Sequence, residues 1–460
     1  MPSGPSKSFP QAPTSLYAPT KNLRQIGLAP FVALLFGYCT GGPFALESMV
    51  SGSGPGLALT FLIVVPFFLA VPISLATAEM TSVMPVEGGF YRWSRAALGD
   101  FWGFQCGWWN WTGTFLMSAA YGVTMADYLG TWIPLHSRAG HWAVAVSLMV
   151  VVAYLNVRGI HVVGNLTLIL LLIMFVPLVF FAILGFHNAH FNPFHPFFPT
   201  GRPWQSAFGV GLAIALWTYA GFEQLSTVIE EVENPARNFA IGLAIVIPLS
   251  IATYVLTISA GLTALGNWQE WETGYLVTAG RILGGNLLGT SIFLAVVISS
   301  FVLLDSTLLS FSRLPLTMAE DGYFHPALGK VSKRFGTPVR SILLCTVLCA
   351  ALAFFTVPQL IAVYAWTRMA TSIQTVLSFW QFRRKYPDAP RSFRVPGGRP
   401  GALLIVIAPT LLFAWAILYS DVETRKWGLL TLASGPVAYL WLRPRRKPPM
   451  IDHPNVLVSE

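Results

Sequence analysis

Apolar blocks close to 20 residues long recur between residues 26 and 442, and the connections between them are short. A block of that length crosses the hydrocarbon core of a bilayer as a helix, with its backbone polar groups satisfied internally. About 12 blocks meet this length criterion. They span 26–51, 56–82, 101–130, 141–157, 162–186, 205–231, 238–265, 286–311, 339–356, 359–381, 401–420 and 426–442. Of the 460 residues, 10% are charged and 54% hydrophobic, whereas roughly 25% charge is usual in a soluble domain. So few charges cannot cover a water-facing surface on a chain this long. An ordinary soluble enzyme, a disordered chain and a nucleic-acid-binding chain are excluded, despite the net charge of +9. A porin-type barrel is excluded too, because its strands alternate with polar lumen residues. The expected fold is an all-α polytopic membrane protein.

The charges that remain are sorted. With the N-terminus placed inside, most of the 28 Lys and Arg residues fall in cytoplasmic segments, among them Arg313, Lys330, Arg340, Arg383, Arg391 and Arg443. Only Arg138, Arg202, Arg281, Arg425 and Lys426 fall outside, and Arg368 lies within a span. This bias orients the chain and puts both termini in the cytoplasm. Residues 1–23, rich in Pro and Ser, are expected to form a disordered tail with no apolar signal core, so the first span inserts uncleaved. Residues 443–460 are expected to form a second cytoplasmic tail. Cys39, Cys106, Cys345 and Cys349 sit in apolar blocks and behave as small hydrophobes rather than a disulfide or metal framework.

Two spans are interrupted near their middles. The first contains Thr40-Gly41-Gly42-Pro43-Phe44, in which Pro43 lacks a backbone donor and two glycines weaken the helix. The sixth contains Thr218-Tyr219-Ala220-Gly221-Phe222. Spans 1 and 6 begin two successive five-helix units of a possible repeat. Paired interruptions at corresponding positions are a mark of secondary transporters with inverted repeats and a site at the bilayer midplane.

Several stretches resemble the amino acid–polyamine–organocation family of permeases. They are Gly41-Gly42-Pro43-Phe44 with Glu47; Glu87-Gly88-Gly89-Phe90-Tyr91-Arg92-Trp93; Glu230-Glu231-Val232-Glu233-Asn234-Pro235-Ala236-Arg237; Ser312-Arg313 through Asp321-Gly322; and Arg391-Ser392-Phe393-Arg394-Val395-Pro396-Gly397. Their order and spacing cover nearly the full length. The first break departs from the Gly-Ser-Gly pattern of many amino acid permeases, with an acid three residues beyond Phe44. The resemblance implies a five-plus-five inverted repeat (24–400) followed by two further helices (401–442), working by alternating access. Substrate would sit between the two breaks, with walls from spans 3, 8 and 10. The implied activity is amino acid permeation in the plasma (inner) membrane, coupled to protons. Polyamine or organocation uptake and amino acid exchange are the alternatives.

Broken helices expose backbone groups. Amides near Gly42, Phe44 and Ala45 can receive a carboxylate at a half-helix N-terminus. Carbonyls of Cys39, Thr40 and Trp217 to Ala220 can accept from an ammonium group. Gly41 and Gly221 let substrate approach the backbone, and Trp217, Tyr219 and Phe222 are candidates for an aromatic wall. Four charges lie inside spans, where each is costly. Glu47 and Glu223 can neutralise a substrate amine, carry a coupling proton or serve structure; Asp305 can couple or form an ion pair; Arg368 needs a carboxylate, with Glu47, Asp127 and Asp305 as candidates. Glu79 and Asp127, near span ends, read as structural. His187, His190 and His195 are irregularly spaced and make no convincing metal site. No cofactor motif, nucleophile–base arrangement or phosphate loop occurs, so no enzymatic activity is expected.

Overall fold

The structure, a computed structural model, describes residues 25–130, 137–199, 201–354, 357–419 and 422–443. The two expected tails, 1–23 and all of 443–460 but Arg443, lie outside the described residues. The described chain folds into sixteen α-helices and two 3-10 helices, with no β-strand among the described residues. In order these are α1 (Leu28–Cys39), α2 (Glu47–Ser53), α3 (Pro55–Phe68), α4 (Ala70–Val83), α5 (Phe90–Leu98), α6 (Asp100–Gly130), α7 (Arg138–Arg158) and α8 (Ile160–His187). There follow α9 (Trp204–Thr218), α10 (Pro235–Leu265), α11 (Tyr275–Phe311), α12 (Arg313–Glu320), α13 (Val339–Leu352), α14 (Val357–Lys385), α15 (Gly398–Tyr419) and α16 (Val422–Leu442). The 3-10 helices are Gln224–Glu231 and Trp268–Glu270.

Six helical stretches are long and apolar enough to cross a membrane: Pro55–Val83, Arg138–Arg158, Ile160–His187, Pro235–Leu265, Tyr275–Glu320 and Gly398–Leu418. The sequence reading of about 12 spans is thus met by six, and the shortfall has local causes. Spans 1 and 6 are split into half-helices. α13 is short, at 14 residues. α6 carries Asn110, Gln105 and several glycines and tryptophans, and α14 carries Arg368. Span 8, expected at 286–311, matches the second part of α11, because Gly284 (φ −133°) and Gly285 (φ 70°) leave helical geometry and divide α11 into a short first part from Tyr275 and a helix from Asn286.

The surface is that of a protein in lipid. On α8, Ile169, Leu172, Ile173, Val176, Val179, Phe180 and Ile183 form one outward stripe, each more than half exposed. Val163, Thr167, Leu171, Met174, Leu178 and Phe181 form the buried face. A continuous apolar stripe of this size does not face water in a soluble protein. α1 is apolar on every side and is correspondingly enclosed, with Phe31, Leu34, Leu35 and Phe36 almost fully buried.

Arginine–carboxylate pairs tie one end of the bundle together. Arg383 grips Glu79 through two bonds of 2.7 and 2.6 Å, and the same carboxylate takes Arg391 at 3.0 Å and the Val395 amide at 2.7 Å. The Glu87–Trp93 motif works here as a clamp. Tyr91 and Arg95 both reach Asp321, each at 2.7 Å, and Arg92 reaches Glu320 at 2.6 Å. The Glu87 amide donates to Glu230 at 2.9 Å. Gly89 has φ 35° and lies so close to Ser226 that a Cβ would overlap it, so only glycine fits. Arg313, fully buried, pairs with Glu231 at 2.9 Å. Burial, reinforced by Glu230, Glu231 and Glu320 and opposed by Arg313, pushes the Glu87 carboxyl well above the usual carboxylate range.

Candidate functional site

The first break runs from Thr40 to Leu46, between α1 and α2. Gly41, Gly42 and Ala45 have φ of 58°, 111° and 69°, and the chain leaves the helical path there. The second break follows α9, where Gly221 has φ 118° before the 3-10 helix starts at Gln224. The two breaks meet: a Cβ on Gly221 would come within 3.0 Å of the Tyr38 ring. Tyr254 of α10 donates to the Thr40 carbonyl at 3.2 Å and packs edge-on against Tyr219. Thr40 also shares a short hydrogen bond with Ser250. The start of α1 is joined to the end of the second broken span, Ile26 N–H donating to the Glu231 carbonyl at 3.0 Å.

A cavity of about 580 Å³ opens between the breaks. Of the site residues expected from sequence, Cys39, Thr40, Gly42, Phe44, Trp217 and Ala220 line it. Gly41, Glu47, Tyr219, Gly221, Phe222, Glu223, Asp305 and Arg368 are not among its lining residues. Among the described residues, no amide of Gly42 or Phe44 has a backbone or side-chain acceptor in the protein. Among the described residues, the cavity wall includes no Asp, Glu, Lys, Arg or His. Its polarity comes from hydroxyls and rings instead, with Tyr38, Tyr121, Tyr128, Tyr254 and Tyr364 contributing both.

Sequence reading missed most of that wall. Thr114, Met117, Tyr121, Thr124 and Tyr128 line it from α6, and Val296, Ser299, Ser300, Leu303 and Thr307 from α11. Their spacing of three and four residues marks one face of each helix. A weakly polar stripe recurring at that period within an otherwise apolar span was the available signal.

A fully buried polar layer lies next to the cavity, toward the arginine-rich end. Arg368, one turn beyond Tyr364, pairs with Glu223 at 2.9 Å, and Ser372 donates to the same carboxylate at 2.7 Å. With the Gln224 amide turned so that its oxygen faces α14, it accepts from Arg368 at 3.0 Å and its nitrogen donates to Asn110 at 3.2 Å. Ser310 donates to the Gln224 carbonyl at 3.0 Å. The partner of Arg368 is therefore Glu223, not Glu47, Asp127 or Asp305, the three candidates drawn from sequence. Asp127 pairs with His141 at 2.7 Å instead. Asp305 faces α7, where Asn156 donates to it at 2.6 Å. Its other oxygen has no partner among the described residues. Glu47 turns away from the cavity and accepts from the amides of Gly274 and Leu276. No group of three or more His, Cys, Asp or Glu that could hold a metal occurs among the described residues.

Comparison with known proteins places the sequence in a family. A family model described as amino acid permease matches residues 26–436. A probable polyamine transporter of Arabidopsis thaliana is 29% identical over 92% of this chain and 85% of its own length. A polyamine transporter of Oryza sativa subsp. japonica is 27% identical over 91% of this chain and 78% of its own. An uncharacterized transporter of Mycobacterium bovis is 28% identical over 73% and 74%. A match that runs from the first residues of α1 into α16 covers both broken spans and the clamp beneath them, and the chain belongs to the amino acid permease family of integral membrane transporters for small molecules.

Proposed function

We propose that the chain is a secondary active transporter that moves amino acids by alternating access, coupled to protons. The carrying observation is a cavity between two helix breaks with no charged side chain on its wall among the described residues. A zwitterion brings two opposite charges, and backbone ends can meet both. The amides of Gly42 and Phe44 suit the carboxylate, and the carbonyls of Cys39, Thr40 and Trp217 to Ala220 suit the ammonium. Glu223 and Arg368 neutralise each other beside the cavity, so the site favours no net charge. On this reading residues 24–400 form the five-plus-five inverted repeat, with the broken spans in corresponding positions, and 401–442 adds two helices. The arginine-rich end faces the cytoplasm together with both termini, and the bilayer is the plasma (inner) membrane. Asp305 is the acid best suited to carry the proton, since it is buried with only Asn156 as partner and one oxygen unpaired.

Polyamine uptake is the second reading, and two observations favour it. The plant relatives carry that name, and the ring faces of Tyr38, Tyr121, Trp217, Tyr254 and Tyr364 can receive ammonium groups. Thermal-shift binding of the purified protein against amino acids and polyamines, followed by uptake into proteoliposomes with and without a pH gradient, separates the two. Stabilisation by amino acids and gradient-driven uptake support the leading reading. Response to polyamines alone replaces it with the second, and response to neither overturns both.

A further inference from the structure

The half-helix α2 is a short rod between two backbone pivots. Before it lie Gly41, Gly42 and Ala45, all with positive φ, and after it lies Gly54 with φ 88°. A non-glycine residue such as Ala45 rarely adopts that conformation and is held there by its surroundings. α2 borders the cavity through Ser48, and the chain entering it does so through Phe44, Ala45 and Leu46. Across from it, Thr273 borders the same space from the segment leading into α11. Motion of α2 away from that segment therefore opens the cavity at the end opposite the Glu223–Arg368 layer.

Two ties hold α2 in place. Glu47, 1% exposed, accepts from the amides of Gly274 at 3.3 Å and Leu276 at 3.5 Å. These amides belong to the N-terminus of α11, where backbone donors lack intrahelical partners and the helix dipole favours a negative charge. One turn along, Ser51 donates to the Trp271 carbonyl at 2.7 Å. Trp271 is fully buried and stacked on Tyr275, which makes the receiving segment rigid. The second carboxylate oxygen of Glu47 is buried without a partner. A carboxylate half satisfied in this way is a tie that can be released, since the closed state does not meet its full bonding capacity.

We infer that Glu47 is the latch of the gate at this end, holding α2 against the N-terminus of α11 and releasing it when the cavity opens. It acts on access and does not touch the transported solute. The inference rests on the alternating-access reading but is tested apart from it. Ser48→Cys places a thiol on the cavity face of α2, and a membrane-impermeant maleimide is applied to proteoliposomes from each face, with the chain lacking that substitution as the background. Adding Glu47→Gln is expected to raise the labelling rate from the α2 face about fivefold, the loss of one charge–dipole contact. Ser51→Ala, which leaves Glu47 intact, is expected to raise it about twofold through loss of one neutral hydrogen bond. An unchanged labelling ratio between the faces with a lower thermal midpoint would make Glu47 a purely structural residue and overturn the latch. If Glu47→Gln fails to fold, unchanged labelling in Ser51→Ala overturns it as well. Labelling does not require transport, so a chain that moves no solute but shows the shift keeps the latch and loses the transport reading.

Discussion

Replacing Arg368 with Met leaves the Glu223 carboxylate fully buried with only Ser372 as a donor among the described residues. Removing one member of a buried pair strands the other charge and destabilises a protein by about 3–5 kcal/mol. Glu223→Gln strands the guanidinium in turn, though Gln224 still faces it, so its effect belongs at the lower end, about 3 kcal/mol. The double variant Glu223→Gln with Arg368→Met leaves neither charge behind. It should recover most of the loss, because a buried pair exchanged for uncharged groups is often close to neutral. The coupling across the cycle is then about 3 kcal/mol or more, well beyond the few tenths expected of independent sites. The assay is thermal unfolding of the detergent-solubilised protein, with fluorescence-monitored midpoints for the four chains. Either single variant should fall below the parent, and the double should lie above both singles. If the two losses simply add, Arg368 and Glu223 do not form the pair described, and the uncharged character of the site loses its basis.

Gly42→Val should reduce uptake at least tenfold and lower the thermal midpoint by a few degrees, with the protein still folded. Gly42 has φ 111° and a Cβ would come within 2.8 Å of the Phe44 ring, strain of about 1–3 kcal/mol placed at the cavity wall; uptake at the parental rate would remove the site from the first break. Glu87 provides a test against pH. Its carboxyl sits well above its ordinary value of 4.5, so the folded protein favours the protonated form. That contribution is complete below the ordinary value and is lost as pH rises through the raised one. Thermal midpoints measured from pH 5 to 9 should therefore fall less in Glu87→Gln than in the parent, whereas parallel curves would mean that Glu87 ionises without penalty.

The breaks were legible in the sequence because they depend on neighbouring residues. In Thr40-Gly41-Gly42-Pro43 two glycines and a proline in succession disfavour a continued helix, and the structure stops α1 at Cys39. The clamp motif was visible as a string, but its purpose was not. That Tyr91 and Arg95 converge on Asp321 follows from packing between segments more than 200 residues apart. The smaller part of the cavity wall was legible: Cys39, Thr40, Gly42, Phe44, Trp217 and Ala220 came from the breaks, while the tyrosines of α1, α6, α10 and α14 gave no local sign of facing one space.

The sequence by itself determined that the chain is an all-helical protein with apolar spans, where two of its helices fail and which few charges stay inside. Those properties follow from hydrophobicity and backbone freedom over short windows. Only the tertiary structure decided what each buried charge does. Glu223 serves Arg368, Glu47 serves the start of α11, and Asp305 is left to Asn156. A buried charge takes the partner that helix packing brings within about 3 Å, and the rotation of one helix face against another is not written in the local sequence of either.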